Sequence, residues 1–96
     1  MVLLKRSLIL AAVLLLPSTH AAAQAKMASA CEAEIQKAEA RIAEARQQPQ
    51  FRSERGRHAL SSADRWVNQA RKHAAKGESR NCVSAAQKGR QQLSAR

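Results

Sequence analysis

From residue 31 onward, apolar positions recur with the period of an α-helix. Cys31, Ile35, Ala38, Ile42 and Ala45 are spaced 4, 3, 4 and 3 apart, which puts them on one stripe. Leu60, Ala63, Val67, Ala70 and Ala74 repeat the pattern at 3, 4, 3 and 4, with Trp66 at the edge of the stripe. Cys82, Ala86, Gly89 and Leu93 give a third stripe at 4, 3 and 4. The pattern predicts three amphipathic helices, at about 29–48, 53–76 and 79–95, each with a narrow, alanine-rich face to bury.

Boundary residues agree with this division. Ser29-Ala-Cys-Glu32 has the form of a capping box for the first helix. Pro49 disfavours helical geometry in the residue before it and so ends the first helix near Gln48. Ser53 can cap the second helix, although Gly56 weakens its first turns by about 1 kcal/mol relative to alanine. A later start, with Ser61 and Asp64 as a weaker box, is the alternative. Gly77 suits the left-handed position after the second helix, and Ser79 can cap the third. Three helices joined by tight turns predict an all-α, up-down-up antiparallel bundle.

The residues before Gln24 have a different character. Lys5 and Arg6 precede the apolar run Leu8–Leu16, and Pro17-Ser-Thr-His20 leads to Ala21-Ala-Ala23. A basic start, a short apolar stretch and small residues at A-x-A spacing describe a secretory signal peptide. The run is less than half of the roughly 20 residues a membrane-spanning helix needs. Cleavage is expected after Ala23 or Ala25, the first preferred, leaving 24–96 as one small domain. Ala28-Ser-Ala-Cys31 lacks the leucine of a lipobox and lies far from the apolar run, so lipidation is not expected.

A mature chain of this size has too few large apolar residues to rely on its core alone. The two cysteines can supply a staple. Cys31 and Cys82 fall in the first turns of the first and third helices, which run parallel in an up-down-up bundle, and both lie on buried stripes. Export would place them in an oxidising compartment. A Cys31–Cys82 disulfide is expected, worth about 4 kcal/mol in the chain-entropy model.

Charge is distributed unevenly. Residues 26–48 carry four bases and four acids, whereas 49–96 carry eleven bases and three acids. The first helix reads as an ordinary solvated face, with Glu34 near Lys37 and Glu39 near Arg41 or Arg46. The second half is strongly basic and attracts anions. Export and a single phenylalanine with no tyrosine argue against nucleic acid, because there is no platform on which bases could stack. The remaining anions are acidic protein faces and envelope surfaces such as lipid head groups, lipopolysaccharide and wall polymers. Arg65, Arg71, Lys72, Lys76 and Arg80 form the candidate basic face, and Trp66 is a candidate interface anchor, with simple core packing as its alternative. A purely solubilising role is the plain alternative.

Catalysis has little to stand on. No C-x-x-C, phosphate loop, Ser-His-Asp set or working carboxylate pair occurs. His58 and His73 would lie about 22 Å apart along one helix and cannot share a metal. No enzyme activity, cofactor or metal is expected.

Residues 60–93 resemble a single tetratricopeptide-type helix pair, with small Ala70, a turn at Gly77, then small Cys82 and Gly89. That resemblance implies close helix packing at the small positions. The chain departs from the pattern at Ala86, where a bulky aromatic is usual, and in lacking the closing proline. Its layout is also similar to small, alanine-rich exported helical proteins of proteobacteria, among them accessory subunits of periplasmic redox complexes. Together these readings predict a periplasmic or secreted, non-enzymatic binding module with an acidic protein partner; association with an anionic envelope surface is the alternative.

Overall fold

A computed structural model describes residues 18–94 of the chain. Helix α1 spans Ser18–Arg46, a 3-10 turn spans Pro49–Arg52, α2 spans Glu54–Ala75 and α3 spans Ser79–Ser94. Side-chain pairing fixes their directions. Glu39 of α1 meets Arg71 of α2 while Arg46 meets Asp64, so α1 and α2 are antiparallel. Ser62 meets Gln92 and Trp66 meets Lys88, so α2 and α3 are antiparallel as well. Cys31 joins Cys82 and Arg41 reaches the Leu93 carbonyl, which makes α1 and α3 parallel. The chain is an up-down-up three-helix bundle.

Every stripe residue of α1 is buried: Cys31, Ile35, Ala38, Ile42 and Ala45. In α3 the predicted stripe is buried too, with Ala85 added. The α2 stripe holds at Ala63, Val67 and Ala70, which are buried, and differs at its ends: Gly56 and Ala59 are buried, Leu60 is half-buried and Ala74 is exposed in the last turn. The cause at the start of the helix lies just upstream. Buried Phe51 packs under the start of α2 and draws the Gly56–Ala59 side inward. Gly56 is glycine for steric reasons, since a Cβ there would meet the Phe51 backbone and lie 2.6 Å from the Gln50 carbonyl oxygen. Gly89 works similarly at the α2–α3 seam, where a Cβ would lie 3.3 Å from both the Ala63 carbonyl oxygen and the Trp66 Cβ.

The disulfide Cys31–Cys82 is present, with a Cα–Cα distance of 5.5 Å and 51 residues of sequence separation. Its two residues are 3% and 0% exposed, so it lies within the core rather than on its surface.

The ends of α2 follow the sequence closely. The Ser53 hydroxyl accepts from the Gly56 amide at 3.0 Å, which rejects the later start at Ser61. At the other end the Gly77 amide donates to the Ala74 carbonyl and the Glu78 amide to the His73 carbonyl, with Gly77 at φ +74°. Those two bonds form a Schellman motif, and they satisfy carbonyls that the helix itself leaves unpaired.

Three expected boundaries need correction. Helix α1 begins at Ser18, so Ser29 lies inside it and caps nothing. The run between them is rich in alanine, the best helix former, and contains no glycine or proline to stop it. At its other end α1 stops at Arg46, because the Gln47 and Gln48 amides bond three residues back, to Glu44 and Ala45, and tighten the last turn. Ser79 is the first residue of α3 rather than its cap, since the Glu78 carbonyl already accepts from the Cys82 amide at 3.0 Å. The basic start and apolar run of the expected signal peptide lie outside the described residues, as does residue 95 at the expected end of the third helix. Both expected cleavage points fall within α1.

Candidate functional site on the outer face of the second helix

The acids and bases of the bundle sort themselves by position. Glu34 receives Arg90 at 2.6 Å and Lys37 at 3.5 Å; Asp64 receives Arg46 at 3.1 Å; Glu39 pairs with Arg71. Two of these acids belong to α1 and bind bases on α2 and α3; the third is on α2 and binds a base on α1. They close the seams from outside, each contributing about 0.2–1 kcal/mol where the partners are exposed. The expected pairing of Glu39 with Arg41 or Arg46 does not form. Arg41 instead donates to the Leu93 carbonyl and lies 5.7 Å from the centre of the Phe51 ring. It thus satisfies one of the last carbonyls of α3.

Among the described residues, exposed bases without a carboxylate partner are spread over the bundle, including Lys26, Arg52, Arg55, Arg57, Arg80 and Lys88, and three more stand in line on the outer side of α2. Arg65, Lys72 and Lys76 are exposed there at spacings of seven and four, about 10 and 6 Å along the axis. Among the described residues none of the three has a carboxylate within 4.0 Å. The face expected from sequence is therefore divided. Arg71 is exposed but tied to Glu39 across the α1–α2 seam. Arg80 sits at the start of α3, where it lines a shallow depression with Ala23, Gln24, Met27, Ala28, Gly77 and Ser79. It faces the N-terminal part of α1 rather than the Arg65–Lys72 row.

Trp66 is neither core nor fully exposed. It is half-buried, packed on the core at the rim of the α2–α3 seam. The Lys88 ammonium lies 5.0 Å from the centre of its ring, a cation–π contact. Sequence spacing alone missed Lys88, whose position beside Trp66 depends on the packing of α3 against α2 at Gly89.

His73 pairs with Glu78 at 3.0 Å beside the turn, and His58 approaches Glu54 at 4.0 Å. Among the described residues no three His, Cys, Asp or Glu side chains converge on a point where a metal could be held. No helix among them is long and apolar enough to cross a membrane.

The class is thus an all-α bundle of three helices with one core disulfide. The chain matches no protein-family model, no curated protein and no solved structure at a significant level.

Proposed function

We propose that this chain is an exported, non-enzymatic binding module of a bacterial periplasm, and that it holds an acidic protein partner through the outer face of α2. The observation carrying this reading is the row Arg65, Lys72 and Lys76, exposed and without carboxylate neighbours, on a bundle in which Glu34, Glu39 and Asp64 are engaged across the helix seams. The helix and its C-terminal cap fix the spacing of the three bases before a partner binds, so the cost of binding is confined to their side chains, about 0.5–1.5 kcal/mol each. The three bases also raise the rate of encounter with an anionic surface. The signal-like pattern of residues 1–23 and the core disulfide both support an oxidising compartment.

The test reverses the row. The variant Arg65→Glu, Lys72→Glu, Lys76→Glu should melt within a few degrees of the parent, because none of the three has a folded-state partner to lose. As bait in periplasmic extract at low salt, the parent should retain an acidic protein in stoichiometric amount and the variant should not. Retention should fall toward physiological salt, where the screening length is about 8 Å. Equal retention by both proteins refutes the reading. Capture of lipopolysaccharide or lipid in place of protein supports the envelope-surface alternative.

A further inference from the structure

The outer side of α2 carries a shallow groove next to the basic row, lined by Ser62, Arg65, Trp66 and Gln69. Arg65 is part of its wall, and Lys88 of α3 approaches from beyond it, its ammonium 5.0 Å from the centre of the Trp66 ring. Ser62 donates to Gln92 at 3.1 Å across the seam, which holds the two helices together beside the groove. Among the described residues neither Arg65 nor Lys88 has a carboxylate within 4.0 Å. A half-buried aromatic ring thus stands between two cations that have no carboxylate partner, Lys88 on the ring itself and Arg65 in the groove wall, with the Gln69 side chain beside them.

We infer that this groove is the anchoring point for an acidic segment of a protein partner, one that sets an apolar side chain against Trp66 and carboxylates against Arg65 and Lys88. The inference rests on the basic-face reading above and specifies where apolar contact adds to charge. Charge complementarity selects the occupant. Two cations flanking one ring match carboxylates spaced around an apolar residue, whereas a lipid surface would need a flat basic plane. Lys88 already lies over the ring, so its ammonium is in place to donate to a carboxylate while the apolar side chain meets the part of Trp66 that Lys88 leaves open. A half-buried tryptophan between two bases also has the composition of an interface hot spot, in which tryptophan and arginine dominate.

The chain has one tryptophan and no tyrosine, so its emission reports on this groove alone. The probe is a short, labelled synthetic peptide of glutamates and leucines without aromatic residues, titrated against the full chain. Binding is read independently by anisotropy of the label and by Trp66 emission. The expected result is saturable binding with a blue shift, weakened about tenfold by Lys88→Glu and by Arg65→Glu. Melting curves for both variants establish that they remain folded. If the peptide binds and Lys72→Glu weakens it, but the emission is static and Lys88→Glu has no effect, the groove assignment is overturned and the basic face stands. If vesicles of phosphatidylglycerol bind and shift the emission while the peptide does not, the acidic protein segment is overturned in favour of lipid. If neither probe binds, the basic-face reading falls with it.

Discussion

Reducing the disulfide should remove a large share of the stability of this domain. The bond closes 51 residues of chain, and the chain-entropy model assigns such a loop about 4 kcal/mol. Domains of this size have roughly 4–10 kcal/mol in total. Cys31→Ala, Cys82→Ala and the double variant should each lose about the same amount, because all three delete one shared bond. Alanine is the appropriate replacement: serine would leave an unpaired hydroxyl in a site that is 3% or 0% exposed, adding about 1–3 kcal/mol of its own. Urea unfolding followed by far-ultraviolet circular dichroism, with and without reductant, gives the comparison. Free energies rather than midpoints must be compared, since a cross-linked unfolded chain exposes less surface and lowers the slope. A difference below about 1 kcal/mol between oxidised and reduced protein would refute the reasoning, and would mean that the alanine core sustains the bundle alone. Losses that add in the double variant would refute the shared bond.

Two further outcomes can be measured directly. Gly56→Ala should destabilise by about 2 kcal/mol despite the higher helix propensity of alanine, because the new Cβ displaces the Phe51 turn; a gain near 1 kcal/mol would show that the turn is free to move. If the chain is exported as proposed, intact mass of the periplasmic species should correspond to a start at Gln24 or Lys26, and a species retaining residues 1–23 would count against it.

Much of the architecture could be read from local pattern. The stripe from Cys31 to Ala45 needs only the helical period. The parallel pair is as expected although one premise fails: Cys82 is in the first turn of α3, whereas Cys31 lies well inside α1, which starts at Ser18. Ser53 and Gly77 are recognisable because each satisfies backbone groups of its own helix. What escaped was set by neighbours distant in sequence. Glu39 has Arg41 and Arg46 nearby in the chain, yet the rotation of α1 against α2 turns it toward Arg71. The start of the α2 stripe moved from Leu60 to Gly56 and Ala59 because Phe51, outside the helix, packs against that end. Ser29 misled for the opposite reason: its box is locally valid, but a cap requires the preceding residues to leave the helix, and an alanine run does not. The same limit applies to the site. Arg65, Lys72 and Lys76 could be aligned by counting, whereas Lys88 could be placed only once Gly89 brought α3 against α2.

The alanines at the centre of the bundle also restrict how this sequence can change over generations. Ala38, Ala45, Ala63, Ala70 and Ala86 are each fully excluded from solvent. A single base change converts an alanine codon to glycine, serine, threonine, proline, valine, aspartate or glutamate. Valine and threonine overfill a position built around one methyl group, at about 1–3 kcal/mol. Proline breaks the helix, and the acids bring an unpaired charge into the interior. Only glycine and serine fit the space; glycine loosens the helix by about 1 kcal/mol, and serine brings a buried hydroxyl that costs about 1–3 kcal/mol if unpaired. Drift in this chain is therefore channelled to the outside of the helices, and a related chain is expected to keep the five small interior positions while sharing little of the surface that surrounds them.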